Sequence, residues 1–332
     1  MTIDLASLAS SQRLLFEIPL KPVQGHRFQP TGFPSLGAAT FQTSTGQALL
    51  VESAQSMANR LELTIWDDVA QDIKKELQGL SHVRVMRKDA FLTDTVLESH
   101  RLNSPYLLMG KDQSFFKKLK EELGMEEGPV DRRKLAQVLL KYDIGSLLHG
   151  IFLAKKELSG GRYRVARALS GFIEADGVRV AASGGVKNDH VNPSGDTKAG
   201  FGNVPFSRDE FTADRICLYV NLDLAQIRGY GLGPDVERLL VLLALYKVRS
   251  LVDGNLRLRA ACDFQASDSA IKATSPSGFQ LPDAASLLKA LKASIGDCAD
   301  RMKIESVIYN DKIEKAKGGS EESDEDNAED QA

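Results

Sequence analysis

The stretch from 235 to 251, DVERLLVLLALYKVRSL, constrains the fold more than any other part of the chain. It follows the turn GYGLGP, whose last residue Pro234 suits the first turn of a helix because its φ is fixed and its missing N–H is not needed there. The predicted helix is apolar almost all round. Because a helix without a polar face has to be covered by other elements, we expect it to be the most deeply buried helix.

Strands are predicted on both sides of this helix along the chain. Apolar runs predict strands at 13–20 and 215–222, and 256–262 alternates so that Arg257 and Arg259 share one face. Further strand is predicted at 83–87 and across 144–175, where Arg162, Arg164 and Arg167 are expected to be exposed. Helices are predicted at 49–63, near 66–78, near 114–123, near 131–141 and at about 283–294.

The order of these elements is a strand, a helix, strands, an insertion, a strand, a buried helix and a strand. This order is compatible with an α+β fold built on a split βαβ, ferredoxin-like core that carries large insertions. The chain divides into an N-terminal extension at 1–12, a main domain at 13–310 with an inserted helical region at about 64–142, and a tail at 311–332.

Two segments outside the regular pattern stand out. Residues 184–211 are rich in glycine and lack periodicity, which predicts a long extruded loop or hairpin. Residues 320–332, SEESDEDNAEDQA, carry seven acidic groups and no basic one. Such a tail cannot bury enough apolar surface to fold, so we expect it to be disordered. The net charge is −3, and without the acids of the tail it is +4, which permits nucleic-acid binding.

The composition is that of a soluble globular protein, with 42% hydrophobic and 26% charged residues. No apolar run reaches the roughly 18 to 20 residues of a membrane helix, and the first residues lack a secretory pattern. Cys217, Cys262 and Cys298 are odd in number and far apart, which indicates reduced thiols. We expect a cytoplasmic protein with no membrane partner.

The sequence offers little for catalysis. None of the five histidines belongs to an HExxH or similar pair, and no cysteine spacing indicates zinc. The acid pair Asp67–Asp68 suits the start of a helix. The cluster Gly229, Gly231 and Gly233 resembles a phosphate-binding loop but lacks the lysine and spacing of a P-loop, so a plain turn is as good an interpretation. We expect no metal, no cofactor and no enzymatic activity.

Nucleic-acid binding has better support. Single-stranded RNA is held by basic and amide groups on its backbone and by apolar contacts to its bases. No acid occurs from Ile18 to Val51, and the loop there combines basic and amide groups with phenylalanines. The candidate RNA-binding residues are Lys21, Gln24, His26, Arg27 and Gln29 of this loop and Ser53, Gln55, Ser56, Asn59 and Arg60 of the first helix. A polar helix face that is merely solvated is the alternative.

Several long segments carry a family resemblance. They are LLFEIPLKPVQGHRFQPTGFPSLGAATFQ at 14–42, LLVESAQSMANRLE at 49–62, RALSGFIEA at 167–175, VKNDHVNPSGDTKAGFGNVPF at 186–206 and YVNLDLAQIRGYG at 219–231. They closely resemble the RAMP-type Cas-seven backbone subunit of the type I-U (I-G) CRISPR Cascade, the GSU-type RAMP family, over roughly 13–310.

This resemblance implies an RRM-like palm with inserted finger and thumb elements, the thumb at about 184–211. In such a thumb, the residues expected to reach a bound guide RNA are Lys187, Asn188, His190, Asn192 and Lys198. It implies a non-catalytic subunit that polymerises along a CRISPR guide RNA. The implied partners are that RNA, target DNA, other copies of itself, a fused processing and end-capping subunit, and a large subunit. The alternative is a RAMP endoribonuclease acting on guide or target RNA, for which Asp189, Asp196 and Asp209 lie in the thumb-like stretch.

Overall fold

A computed structural model of the chain describes residues 3–33, 37–124, 129–254 and 256–313. The strands are β1 Arg13–Pro22, β2 Gly32–Phe33, β3 Gly37–Ala38, β4 Thr40–Thr43, β5 Gly46–Glu52, β6 Trp66–Asp67, β7 Asp72–Ile73, β8 His82–Arg87, β9 Ala90–Asp94, β10 Ile151–Leu153, β11 Tyr163–Val165, β12 Leu169–Asp176, β13 Arg179–Lys187, β14 Val204–Thr212, β15 Arg215–Asp223, β16 Arg257–Arg259, β17 Cys262–Ala266 and β18 Ile304–Ile308. The helices are α1 Ala54–Leu63, α2 Pro105–Leu108, α3 Ser114–Leu123, α4 Arg132–Tyr142, α5 Gly145–His149, α6 Leu224–Gly229, α7 Pro234–Gly254 and α8 Ala284–Asp297.

The centre of the molecule is a mixed α/β unit with a seven-stranded antiparallel sheet. The strand order is β16-β17-β1-β15-β12-β5-β4. Alternate residues of β1 are buried, among them Leu14, Phe16 and Ile18, as expected for a strand with one covered face. Helix α1 packs on β12, where Gly171 leaves room for the Met57 side chain.

Helix α7 confirms the prediction of a deeply buried helix. It begins at Pro234 and contacts α1, β17 and α8, and residues on all its sides are buried. Even Lys247, in the middle of the helix, is fully buried. The predicted strands at 13–20, 83–87 and 215–222 and the predicted helices near 114–123, 131–141 and 283–294 are also present.

Two predictions about helices were wrong: the start of the first helix and the existence of the second. The helix begins at Ala54, because Ser53 caps it by accepting a hydrogen bond from the Ser56 N–H at 3.2 Å, and the apolar run before it forms β5. The helix predicted near 66–78 is instead the hairpin β6–β7 followed by a short 3₁₀ turn. The Asp67 carboxylate accepts from the Val69 and Ala70 N–H groups in a turn, rather than capping a helix.

The strand predicted at 256–262 is two strands, β16 and β17, which pair with each other. Arg257 is exposed, whereas Arg259 is half-buried against Glu52. Between α1 and β12 lies a large insertion that contains α2–α5 and the strands β8 and β9, and β18 from the C-terminal end of the chain pairs with β8. The insertion is therefore less helical than predicted.

Residues 184–211 belong to a β-hairpin, one of the two forms that the sequence predicted for this segment. Strands β13 and β14 pair in register from Arg179–Thr212 to Lys187–Val204, and their tip spans 188–203. The base of this hairpin is held by two backbone hydrogen bonds between Phe28 and Phe211, at 2.9 and 2.8 Å.

Other predictions fall partly outside the described residues. The acidic tail at 320–332 lies outside them. Of the N-terminal extension, Ile3 and Leu8 are buried against the core. The three cysteines are buried and unpaired. Within the described part of the chain, no helix is long and apolar enough to cross a membrane.

Candidate nucleic-acid interface

A cleft of about 1040 Å³ opens between α1, the insertion that follows it and the turn before α7. It is lined by Gln55, Asn59, Glu62, Ser99, His100, Arg101, Asn103, Arg132, Leu135, His149, Gly150, Ile151, Phe152, Ala154, Arg164, Val165, Ala166, Arg167, Gln226, Gly229 and Tyr230. These residues come from widely separated parts of the chain, so only the folded protein has this cleft.

The lining of the cleft is cationic. It contains Arg101, Arg132, Arg164 and Arg167, and its one carboxylate belongs to Glu62. The side chains of Arg132 and Arg164 are exposed, and that of Arg167 is half-buried. A concave surface with an excess of positive charge attracts anions.

The carboxylate of Glu62 is already neutralised by Arg101. Arg101 donates from Nη2 to Oε2 at 2.6 Å and from Nη1 to Oε1, and both side chains are buried. Its Nε donates to the Gly150 carbonyl at 3.1 Å. A bidentate pair of this kind holds both charges in place. The other arginines therefore leave the cleft with a net positive charge.

Lys247 and His149 form a hydrogen-bonded pair behind the floor of the cleft. The two nitrogens, Nζ of Lys247 and Nε2 of His149, are 2.8 Å apart. Burial lowers the pKa of Lys247 to about 8, although Glu62 raises it. Burial, together with Lys247 and Arg101, lowers the pKa of His149 well below its usual value. His149 is thus neutral, and because ammonium only donates, Nε2 accepts and Nδ1 carries the proton.

Arg167 ties α1 to the start of β12. Its Nη1 donates to the Ala54 carbonyl at 3.0 Å, its Nη2 to Oε1 of Gln55 at 2.6 Å, and its Nε to the His149 carbonyl at 3.3 Å. These bonds fix the orientation of Gln55 at the edge of the cleft.

The predicted residues of α1 lie on two different flanks of the helix. Gln55 and Asn59 are exposed and line the cleft. Ser53, Ser56 and Arg60 do not line it. This division follows from the 100° rotation per residue, which puts positions 55 and 59 on one side and 53, 56 and 60 on the other.

Arg60 is committed to an internal ion-pair cluster. Its Nε donates to Oε1 of the fully buried Glu52 at 2.6 Å, and its Nη2 donates to the Leu258 carbonyl at 2.6 Å. Arg259 donates to the other oxygen of Glu52 at 2.5 Å and to the Gln29 carbonyl at 3.1 Å. The cluster therefore joins α1 to β16 and to the end of the first loop.

The residues predicted in the first loop lie outside the lining of the cleft. Lys21 lies in β1, opposite Gln265 of β17. Lys21, Gln24, His26 and Arg27 are exposed, and Gln29 is half-buried. Arg27 approaches Glu210 of β14 with 3.6 Å between Nε and Oε2, and more than half of its side chain remains exposed. Arg27 is therefore the predicted loop residue that contacts the hairpin.

The predicted residues of the hairpin lie at its tip, and all are exposed: Lys187, Asn188, His190, Asn192 and Lys198. Asp189 closes this tip by accepting hydrogen bonds from the N–H groups of Val191, Asn192 and Gly202 at 2.8 to 3.0 Å. These bonds lower the pKa of Asp189. Across the described residues, no group of three or more His, Cys, Asp or Glu side chains is placed to hold a metal ion.

The glycine-rich turn touches the cleft at one point. Gly229 ends α6 and lines the cleft. Gly231 and Gly233 have φ values of +63° and +92°, which side chains other than glycine rarely adopt. These two glycines turn the chain between α6 and α7, so their backbone conformation alone accounts for them.

Comparison with known families identifies the chain. The family model described as CRISPR-associated protein GSU0053 matches residues 14–180, which is half of the sequence. The chain belongs to this family. No curated protein matches it. Among solved structures, a chain from a "CRISPR RNA-guided surveillance complex, pre-nicking" is similar at 13% identity and a TM-score of 0.39, covering 76% of this chain and 75% of that one. A likeness that weak supports no conclusion about this chain.

The part of the chain that matches the GSU0053 family contains most of the cleft, and sequence reasoning missed several residues there. Arg132, His149 and Phe152 were not predicted, because nothing near them in the sequence connects them to α1. Arg164 and Arg167 were noted only as exposed. The one sequence signal for these two arginines was their partial alternation with apolar residues in the segment predicted to contain strand at 144–175.

Proposed function

We propose that this protein binds single-stranded guide RNA as a non-catalytic backbone subunit of a CRISPR surveillance complex of the Cascade type. The observation that carries the proposal is the cationic cleft of a chain in a CRISPR-associated family: Arg132, Arg164 and Arg167 face it, and its single acid is neutralised. Phosphate contacts of this kind bind any sequence, as a subunit that coats different guides requires.

The arrangement of the sheet supports an RRM-like palm. Along the chain, β1, α1, β12, β15, α7 and β17 follow one another, and their strands lie in the order β17-β1-β15-β12. This is the order of a β-α-β-β-α-β, ferredoxin-like unit. In the proposal, the insertion between α1 and β12 is the finger region and the hairpin β13–β14 is the thumb.

The exposed apolar residues of the hairpin support assembly along the RNA. Val186, Val191, Phe201, Val204 and Phe206 are between 42% and 95% exposed. A cluster of large apolar side chains at the end of an extruded hairpin indicates a surface that another molecule covers. We propose that this molecule is a neighbouring copy on the same guide, and that target DNA and the other Cascade subunits join the assembly.

The hydrogen bonds of two of the three thumb acids, Asp189 and Asp196, support a role without catalysis. The Asp189 carboxylate accepts hydrogen bonds from three backbone N–H groups. Asp196 caps the turn that follows by accepting a hydrogen bond from the Lys198 N–H at 3.0 Å. Carboxylates that accept such backbone hydrogen bonds stabilise the conformation of the hairpin tip. We therefore favour the scaffold over the endoribonuclease.

The proposal is tested by expressing the protein with its neighbouring subunits and a CRISPR array, and sequencing the nucleic acid that copurifies. The variant Arg132→Glu with Arg164→Glu reverses two charges of the cleft. Its control, Lys289→Glu with Lys292→Glu, reverses two exposed charges on α8, outside the cleft.

We expect guide RNA with the wild type and the control, and little or none with the cleft variant. Guide RNA that copurifies equally with all three would contradict the proposed RNA site, and the absence of guide RNA from the wild-type complex would contradict the proposed function.

A further inference from the structure

An exposed aromatic ring and a guanidinium lie together inside the cleft. Phe152 of β10 pairs directly with Arg164 of β11, and the Arg164 guanidinium carbon lies 5.0 Å from the centre of the Phe152 ring. Phe152 is 49% exposed, although its neighbours Ile151 and Leu153 are buried. Arg164 has no carboxylate partner within the described part of the chain. The pair thus presents two flat groups to the cleft.

The backbone keeps this pair in place. Gly150 has a φ of +79°, and a Cβ at this position would lie 2.8 Å from the Val165 carbonyl oxygen. Only glycine therefore allows β10 and β11 to approach so closely, which sets Phe152 opposite Arg164. The positions of Phe152 and Arg164 are therefore set by the backbone pairing of β10 with β11.

A buried hydrogen-bond donor lies in the same segment of chain. His149 lines the cleft and is 4% exposed, and its Nδ1 has no hydrogen-bond partner among the described residues. Nζ of Lys247 donates a hydrogen bond to Nε2 of His149, so Nδ1 bears the proton. A buried N–H normally has an acceptor, and leaving it without one costs stability. His149 is therefore a donor to which the protein itself supplies no acceptor.

We infer that this end of the cleft is a nucleotide subsite, in which Phe152 and Arg164 stack on one base of a single-stranded RNA and His149 Nδ1–H donates to an oxygen of the same nucleotide. Aromatic rings and arginine planes are the surfaces on which proteins stack unpaired bases. Stacking accepts every base, so the subsite does not limit the sequence. The inference rests on the proposed function, because it assumes that RNA enters the cleft.

The test compares two oligomers of equal length and charge, a mixed-sequence single-stranded RNA and its abasic counterpart, by fluorescence anisotropy on the full-length protein. Phe152→Ala should weaken binding of the normal RNA about tenfold and leave binding of the abasic oligomer unchanged. Phe152→Trp should restore affinity, and its emission should be quenched by normal RNA only. Trp66, the one native tryptophan, is buried and serves as the internal reference.

The donor is tested with His149→Phe combined with Lys247→Met, which replaces both members of the buried pair by apolar groups. This variant should bind normal RNA several-fold more weakly. An equal loss with the abasic oligomer assigns the acceptor to the sugar-phosphate backbone, and a loss with normal RNA alone assigns it to the base.

Two results would overturn the inference in different ways. If the wild type binds normal RNA and Phe152→Ala binds it equally well, the subsite is wrong and the proposed function stands. If the wild type binds neither oligomer and carries no guide RNA in the complex, both the nucleotide subsite and the proposed function are wrong.

Discussion

The buried Lys247 yields a prediction about stability that is independent of RNA. Its ordinary pKa is 10.5, and burial lowers it to about 8. The difference corresponds to about 3 kcal/mol, the free energy by which the folded state disfavours the charged form. Replacing Lys247 by Met removes this cost at pH 7. It also removes the hydrogen bond to His149 and leaves Nε2 without a donor, which costs about 1 to 3 kcal/mol.

The two effects nearly cancel at pH 7, so we expect the free energy of unfolding of Lys247→Met to lie within about 2 kcal/mol of the wild type. The pH dependence separates them. Between pH 8 and 10.5 the unfolded wild type keeps a proton that the folded protein has lost, so its stability rises with pH by about 3 kcal/mol across that window. The variant lacks this rise.

The assay is urea unfolding followed by circular dichroism at a series of pH values, with wild type and variant compared at each pH so that other titrations cancel. Lys247 faces His149, Glu62, Arg101 and Asp143. Burial raises the pKa of Asp143 to about 6 and keeps that of His149 low, so neither titrates between pH 8 and 10.5. Parallel stability curves for the two proteins above pH 8 would refute the reasoning.

Three further predictions concern binding and assembly. Affinity for unrelated guides should be similar and should fall steeply with salt, and each cleft arginine removed should reduce the slope of log K against log salt by about 0.7, which a salt titration measures. Arg60→Glu should cost about 3 kcal/mol in thermal unfolding, because it places a carboxylate against the buried Glu52. Arg27→Glu should keep its fold, since more than half of the Arg27 side chain is exposed and Arg208 still pairs with the buried Glu210 at 3.4 Å, and it should lose guide affinity. Replacing 187–204 by a short Gly-Ser linker should leave a soluble subunit that no longer forms long assemblies by size-exclusion chromatography with a long guide; full-length filaments would exclude the hairpin as the thumb.

The central elements could be predicted because each carries a long and unambiguous pattern. The apolar run of α7 and the alternation of β1 need no distant partner to be recognised. The start of α1 was misplaced because the apolar residues before Ser53 fit a helix and a strand equally well. What decided between them was pairing with β4 and β12, a contact with residues up to about 125 positions away in the sequence. Short apolar runs are settled by tertiary contacts of this kind.

The candidate site was only partly predictable for a related reason. Polarity identifies residues that avoid the core, but it does not say which surface they join. Gln55 and Arg60 looked alike in sequence, yet Gln55 meets Arg167 at the cleft and Arg60 meets Glu52 away from it. Arg132 and Phe152 can be recognised as site residues only in the folded structure, where the insertion and α1 line the same cleft.

The two flanks of α1 give one short helix two separate tasks. On one flank, Ser56 and Arg60 donate to Glu52, and Arg259 links the same carboxylate to the loop that holds the hairpin base. On the other flank, Asn59 faces the cleft. The helix therefore connects the surface that would grip RNA with the hairpin that would reach a neighbouring copy. Because Glu52 is fully buried and both of its carboxylate oxygens are paired, we expect this connection to hold the cleft and the hairpin base at a fixed spacing in the free protein.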